Sequence, residues 1–266
     1  MPPELVQRVL ESAPSDVVLI GGQALAYWMG YYDIHAPGST APAISRDVDF
    51  FTPSAANTDP LRQFARAIRG RAEVSHISAL SALIGSAVAP AEEGRVYNVD
   101  LLHDVVGLDR ARIEANAVCV PVPGTSVMIR LMHPLDVLQS RNANLHVLTE
   151  KQDATGQLQF RLAIEVARAY LEEQIEAIAT GDAATEQERD RAIFDAINTV
   201  SDYSTEDAAK KNAARYGIFL ADAIPAWHIA SETFWEKQWP HLRERMSPEH
   251  AELCEERADR HSALRP

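Results

Sequence analysis

The most restrictive feature of this sequence is a change in its apolar pattern near residue 134. Before that point, short apolar runs of the β type alternate with helical segments, which is typical of a mixed α/β arrangement. After it the β-type runs disappear, and residues 157–178 carry apolar side chains at helical spacing. We therefore expect an α/β (α+β) domain over residues 1–132, with helices flanking a mixed sheet, followed by a C-terminal helical domain over residues 133–266.

Local signals predict the individual strands and several helix ends. The β-type runs predict strands at residues 17–20, 48–51, 96–102, 117–122 and 127–131. Thr185 and Glu188 have the spacing of a capping box, which predicts a helix start. Ser204 or Thr205 is expected to cap a further helix, which Pro225 then ends.

Composition restricts the class of protein and its partners. The chain has 266 residues, a formal net charge of −13 and two cysteines. This acidic balance disfavours broad, non-specific binding to nucleic acid, because phosphate contacts require lysine and arginine. Two segments, 62–71 and 141–168, are nevertheless locally basic. With neither a secretory signal pattern nor an apolar run of membrane-spanning length, the sequence predicts a cytoplasmic protein with no membrane association.

Three aspartates lie on the predicted strands or directly beside them. Asp47 and Asp49 are two residues apart, so on a strand their side chains project from the same face. Asp100 lies within an apolar run, where an unpaired charge would be costly. Neighbouring carboxylates attract a cation, and Mg²⁺ commonly binds through one or two carboxylates together with substrate phosphates. If the strand of Asp100 adjoins the other strand, the three acids form a site suited to two-metal phosphoryl or nucleotidyl transfer.

A pair of glycines, Gly21 and Gly22, separates the first predicted strand from a helix that we expect at residues 23–32. Glycines at such a junction let backbone N–H groups approach phosphates, although they also serve plain tight turns. Gln23 begins the helix and would share this contact. Arg46, which precedes the acids, is placed either to contact phosphate or to pair with a nearby aspartate.

The order of these features resembles the polymerase-beta-type nucleotidyltransferase superfamily, and within it the AbiEii/AbiGii toxin-type nucleotidyltransferases and their bacterial relatives. In that superfamily a glycine with Gly or Ser precedes a nucleotide-binding helix, two acids separated by one residue bind metal, and a third acid follows. The matching residues in this sequence are Gly21, Gly22, Asp47, Asp49 and Asp100. The segment His133-Pro134-Leu135-Asp136-Val137-Leu138 also resembles the family's transition into its helical half.

Two features depart from the family pattern. Twenty-four residues, 23 to 46, separate Gly22 from Asp47, which is longer than is usual in the superfamily. A lysine that often follows the transition segment is replaced by Gln139-Ser140-Arg141. Arg141 and Lys151 are therefore candidates to contact the nucleotide phosphates from the helical domain.

The resemblance implies a metal-dependent nucleotidyltransferase with a nucleotidyltransferase-type N-terminal sheet. Such an enzyme moves an NMP from an NTP to an acceptor hydroxyl and releases pyrophosphate, with two Mg²⁺ ions held by Asp47, Asp49 and Asp100. It also implies a tRNA, a protein or a small molecule as acceptor, and an antitoxin protein as a partner. Two alternatives stay open: a catalytically degenerate nucleotidyltransferase fold that only binds its ligand, and an antibiotic-modifying nucleotidyltransferase.

Overall fold

The computed structural model describes residues 1–36, 47–76, 81–92, 95–180, 185–229 and 231–263. The chain divides into two compact units, Met1–Ser140 and Arg141–Pro266. All described strands belong to the first unit, and the second unit is helical. The mixed α/β class expected from the sequence is therefore confirmed.

The first unit is built on one mixed sheet. Its described strands are β1 (Val18–Ile20), β2 (Val48–Phe51), β3 (Arg71–Val74), β4 (Leu83–Pro90), β5 (Val96–Leu102), β6 (Val118–Pro121) and β7 (Met128–Leu131). Their order across the sheet is β3-β4-β5-β2-β1-β7-β6. The pairs β2–β5 and β1–β7 are parallel, and the remaining neighbours are antiparallel. The accompanying helices are α1 (Pro3–Glu11), α2 (Gly21–Tyr31), α3 (Asp59–Ala67), α4 (Arg110–Asn116) and α5 (Pro134–Val147), the last of which runs across the division between the units.

The alternation of side chains along β2 separates a packed face of the sheet from the face that carries the acids. Val48 and Phe50 are buried, and the Phe50 ring stacks on Phe64 of α3 with the ring centroids 4.5 Å apart. Asp49 lies between them in sequence and is only half-buried. Because successive residues of a strand point to opposite faces, α3 covers one face and Asp49 projects from the other.

Three elements of the first unit were not predicted from the sequence. The strand β4 is rich in glycine, serine and alanine, which lack the β-branched and aromatic side chains typical of strands. The strand β3 is an edge strand of only four residues, all of them exposed, so it is too short and too weakly apolar to stand out in the sequence. The short helix α4 is capped by the Asp109 side chain, which accepts hydrogen bonds from the backbone N–H groups of Ala111 and Arg112.

The second unit consists of five helices longer than one turn together with short 3₁₀ and π segments, counted over the described residues. The α-helices are α6 (Ala154–Thr180), α7 (Glu186–Thr205), α8 (Asp207–Tyr216), α9 (Trp239–Arg243) and α10 (Pro248–Ala263). The short segments are Thr149–Lys151, Leu220–Ala223, Ala226–His228 and Phe234–Gln238. The expected capping box at the start of α7 is confirmed, with Thr185 and Glu188 each accepting a hydrogen bond from the backbone N–H of the other.

Two helix boundaries predicted for the second unit are wrong. Ser204 and Thr205 do not open a helix but close α7, where each hydroxyl donates to a carbonyl three residues earlier. The next helix, α8, ends at Tyr216 rather than at Pro225, because Gly217 takes the left-handed conformation (φ 61°) that ends many helices. Within the described ranges, no helix combines the length and the apolar character that crossing a bilayer requires.

Candidate active site

A row of polar side chains crosses three neighbouring strands of the sheet. Asp49 on β2 is the direct register partner of Asp100 on the parallel strand β5. Asp100 is in turn opposite Ser86 on the antiparallel strand β4. Register partners project from the same face of a sheet, so Ser86, Asp100 and Asp49 lie side by side on the face that α3 does not cover. All three are half-buried.

The glycine at the start of α2 lies directly against one of these acids. Ile20, the last residue of β1, is the register partner of Asp49. The next residue, Gly21, has φ 70°, and a Cβ on it would overlap the Oδ2 atom of Asp49. Both its backbone conformation and the lack of space therefore require glycine at this position. The consequence is that the first turn of α2 begins beside the Asp49 carboxylate.

The electrostatic surroundings of Asp100 are dominated by burial. Burial raises the pKa of the Asp100 carboxyl, and the nearby negative charge of Asp47 raises it further. The Ser86 hydroxyl donates a hydrogen bond of 2.6 Å to Asp100 Oδ1, which acts in the opposite direction and lowers the pKa. The net effect raises the pKa of Asp100 from its ordinary value, so the site favours whatever neutralises this carboxylate, either a proton or a cation.

The three acids are thus brought into one region, but not as a closed coordination cage. Asp47 immediately precedes β2 and lies close enough to Asp100 for its charge to act on that group. In the part of the chain that the structure describes, no group of three or more His, Cys, Asp or Glu side chains is arranged to hold a metal ion. The donor set fits Mg²⁺ in another way, since this ion is often bound through one or two carboxylates while substrate phosphates and water complete its shell.

The other residues predicted to contact nucleotide are distributed over both units. Gly22 is buried and Gln23 is half-buried, and both lie in the first turn of α2 beside Asp49. Arg46 lies outside the described residues. In the second unit, Arg141 is buried and donates a hydrogen bond of 3.0 Å to the side-chain oxygen of Gln159. Lys151 is exposed, in the 3₁₀ segment Thr149–Lys151.

Two features of the first unit, one at the site and one in the transition segment, were missed from the sequence alone. Ser86 belongs to β4, a strand that the sequence pattern did not reveal, so its hydrogen bond to Asp100 had no basis for prediction. Asp136, in the transition segment, is fully buried and accepts hydrogen bonds from Arg112 (2.8 Å) and Asn116 (3.1 Å) of α4. These contacts attach the start of α5 to α4, so Asp136 has a structural role within the first unit.

No protein-family model and no curated protein matches this chain. A function must therefore be inferred from the chemistry of the site. Adjacent carboxylates beside a glycine-started helix provide ligands for a divalent cation and backbone N–H groups for an anion in the same place. That combination suits a substrate that brings phosphates and a metal ion together.

Proposed function

We propose that this chain is a metal-dependent nucleotidyltransferase, which transfers an NMP from an NTP to an acceptor hydroxyl and releases pyrophosphate. The observation that carries the proposal is the pairing of Asp49 with Asp100 on neighbouring parallel strands, with Gly21 at the start of α2 against the Asp49 carboxylate. A structural role alone gives no reason for two half-buried acids to be register partners, since like charges directly opposite each other destabilise a sheet. Cation binding gives such a reason.

Each residue of the site has a definite task in this reaction. Asp47 and Asp49 would hold the Mg²⁺ ions, and Asp100 would hold the ion on the acceptor side. When bound, Mg²⁺ polarises the phosphates and lowers the pKa of the attacking hydroxyl. The backbone N–H groups of Gly21, Gly22 and Gln23 would cradle the triphosphate at the start of α2.

Charge on the triphosphate needs further neutralisation, because Gln139-Ser140-Arg141 replaces the lysine that often follows the transition segment in the family that the sequence resembles. Within the proposal, Arg46, which precedes β2 in the sequence, is a candidate for this contact, and Arg141 and Lys151 are candidates from the sequence alone. The bond that forms joins the acceptor oxygen to the α-phosphorus, and the bond that breaks releases pyrophosphate. Asp100, beside the acceptor-side ion, is the candidate to receive the acceptor's proton.

The acceptor and the partner are proposed from the resemblance alone. It implies a tRNA, a protein or a small molecule as acceptor and an antitoxin protein as partner. The net charge of −13 favours a small molecule or a protein slightly over bulk nucleic acid, because a polynucleotide would need a local basic surface.

A second candidate function is binding of a nucleotide or a partner without catalysis. The open arrangement of the acids favours it, since the described residues form no closed metal-ligand group. The long spacer before Asp47 and the replaced lysine point the same way. A binding protein, however, does not require a second acid as the register partner of Asp49.

The deciding experiment supplies the full chain with each labelled NTP, Mg²⁺ and either total tRNA or a cell lysate. We expect label to pass to a macromolecular or small acceptor, together with release of pyrophosphate. Nucleotide binding is measured in parallel with and without Mg²⁺. Mg²⁺-dependent binding without any labelled product would select the non-catalytic function, and neither binding nor product would refute both.

A further inference from the structure

The second unit contains a cavity of about 440 Å³ between the end of α5 and the helix α8, which we call the α8 cavity. Its lining includes His146 from α5 and two cationic side chains of α8, Lys211 and Arg215. Leu145 and the ring of Tyr216 contribute an apolar part of the wall. The volume is within the range usual for small-molecule sites.

Hydrogen bonds position one of the cationic groups, Arg215, and the part of α8 beside it. The side-chain oxygen of Gln152 accepts a hydrogen bond of 3.0 Å from Arg215, and its side-chain N–H donates one of 3.0 Å to the carbonyl of His146. Asn212 is buried and donates to both the carbonyl and the side-chain oxygen of Asn142, at 2.9 and 2.8 Å. Arg215 is therefore oriented before any ligand arrives, which lowers the entropic cost of binding.

The charge of the α8 cavity is unusual for this chain. Two other cavities of the second unit have both signs of charge in their walls: Glu172 and Glu176 lie with Arg257 and Arg260 in one, and Asp195 lies with Lys237 and Arg245 in the other. Among the described residues that line the α8 cavity, none is acidic. Lys211 approaches Asp207 at 3.8 Å, but both side chains are exposed, so this ion pair is weak. In a chain with a net charge of −13, a lining with two cationic and no acidic side chains among its described residues favours an anion over a cation.

We propose that the α8 cavity binds the phosphate group of an organic phosphate. A guanidinium presents a planar fork of N–H donors that matches phosphate oxygens, and a lysine adds a point charge. The cavity exceeds what an isolated phosphate ion fills, and the wall formed by Leu145 and Tyr216 offers apolar contact to the organic part. This proposal concerns the second unit alone and stands whether or not the acids of the sheet catalyse nucleotidyl transfer.

The test measures binding to the full chain by calorimetry at low salt and without Mg²⁺. The probes are inorganic phosphate, a nucleoside 5′-monophosphate and a short 5′-phosphorylated RNA, the last two beside their dephosphorylated counterparts. Leaving out Mg²⁺ keeps the acid site from contributing, because its carboxylates repel a phosphate that no metal ion accompanies. We expect both phosphate esters to bind more tightly than inorganic phosphate. A monophosphate that equals the RNA in affinity would identify a small molecule as the source, and a tighter RNA would identify a polynucleotide end.

Lys210 provides a matched control for the variants. It is adjacent to Lys211 on α8 and exposed, but it is not part of the wall of the cavity. Lys211→Gln and Arg215→Gln should each weaken phosphate-ester binding by about tenfold or more, the usual effect of losing a charge-assisted hydrogen bond. Lys210→Gln changes the net charge equally and should leave binding unchanged. Arg215→Lys keeps the charge without the fork and should give an intermediate loss.

A further variant separates the ring of Tyr216 from its hydroxyl. That hydroxyl is buried and has no hydrogen-bond partner among the described residues. Tyr216→Phe should therefore leave both folding and phosphate binding intact. Equal binding of phosphorylated and dephosphorylated probes would overturn the proposal, as would an equal loss in Lys210→Gln and Lys211→Gln. The absence of saturable binding at millimolar concentrations would also overturn it.

Discussion

Two aspartates of the first unit occupy contrasting surroundings. Asp136, at the start of α5, is fully buried and bonded to the guanidinium of Arg112 and the amide of Asn116. Asp100, on β5, is half-buried and accepts a hydrogen bond from the neutral hydroxyl of Ser86, and the nearby negative charge of Asp47 raises its pKa. The more deeply buried acid is matched by an opposite charge, and the less buried one is placed among like charges.

The difference teaches how to separate structural from functional acids in this fold. Burying a charge is tolerated when a counter-charge and hydrogen bonds accompany it, as they do at Asp136. Placing Asp100 opposite Asp49 costs stability in the metal-free chain, because two carboxylates in register repel each other. A cost of that kind is expected where a cation is to be bound. Variants at the two positions should therefore affect different properties.

The largest expected effect is the loss of nucleotidyl transfer when an acid of the sheet is neutralised. Asp49→Asn and Asp100→Asn should each lower the transfer rate by on the order of 10³-fold, because a metal ligand supplies several kcal/mol of transition-state stabilisation. The measurement is single-turnover transfer of labelled NMP, with circular dichroism to verify the fold. Unchanged transfer in both variants would remove the acids from the mechanism.

The control for this experiment comes from the same row of the sheet. Glu73 on β3 is the register partner of Ser86, but it is exposed and forms an ion pair with Arg71. Glu73→Gln removes one negative charge three strands away from Asp49 and should leave the transfer rate within about twofold, since exposed ion pairs contribute little.

The second effect, on stability, should be large only at Asp136. Asp136→Ala leaves the Arg112 guanidinium and the Asn116 amide without their buried acceptor. If both partners were completely buried, the free energy of unfolding would fall by about 3–5 kcal/mol. Because the Arg112 side chain is 37% exposed, we expect it to fall by about 2–3 kcal/mol. Urea unfolding with a two-state analysis measures this change.

A neighbouring ion pair shows what exposure does to the same chemistry. Arg110, also in α4, pairs with Asp104 at 3.4 Å, and both side chains are about half exposed. Asp104→Asn should lower the free energy of unfolding by no more than about 1 kcal/mol. If Asp104→Asn and Asp136→Ala destabilised the chain equally, the structural assignment of Asp136 would fail.

The sequence predicted the parts of this fold that carry strong apolar patterns. The observed bounds of β2 and β5 coincide with the predicted runs at 48–51 and 96–102, because both strands place β-branched or aromatic residues in the core. The helix α2 begins at Gly21, two residues before its expected start, since glycine is normally a poor helix former. β4 could not be predicted, because its glycine, serine and alanine residues carry no strong β-type pattern and become buried only when neighbouring strands pack beside them.

The candidate site was predictable only to the level of single residues. The spacing of Asp47 and Asp49 and the apolar context of Asp100 single out the three acids. The partner of each acid depends on register, which is a tertiary property. Ser86 became visible only once β4 was found beside β5, and the Arg112 partner of Asp136 required the unpredicted helix α4.

The third prediction concerns the hydrogen bond that orients Asp100. Ser86→Ala removes the donor to Oδ1 and should lower Mg²⁺ affinity and transfer rate by roughly tenfold, the lower end of the effect of losing a contact to a metal ligand. Ser86→Thr keeps the hydroxyl and should restore most of both. Mg²⁺ titration followed by calorimetry gives a readout that does not depend on catalysis. Equal defects in Ser86→Ala and Ser86→Thr would indicate a packing effect instead.

The smallest expected effect is a change in stability whose sign at neutral pH is opposite for substitutions of the two aspartates. Because burial and Asp47 raise the pKa of Asp100, the folded chain keeps this proton to a higher pH than the unfolded chain does. The associated stability is fully present below the usual aspartate range and is lost as pH rises through the folded-state pKa. Without Mg²⁺, Asp100→Asn should therefore equal the wild type at low pH and exceed its stability at neutral pH, whereas Asp136→Asn should be less stable than the wild type at neutral pH. Urea unfolding from about pH 3 to 8 separates the two cases. Adding Mg²⁺ should stabilise the wild type more than Asp100→Asn, because the variant keeps Asp47 and Asp49 as ligands but lacks the carboxylate that the ion neutralises in place of a proton.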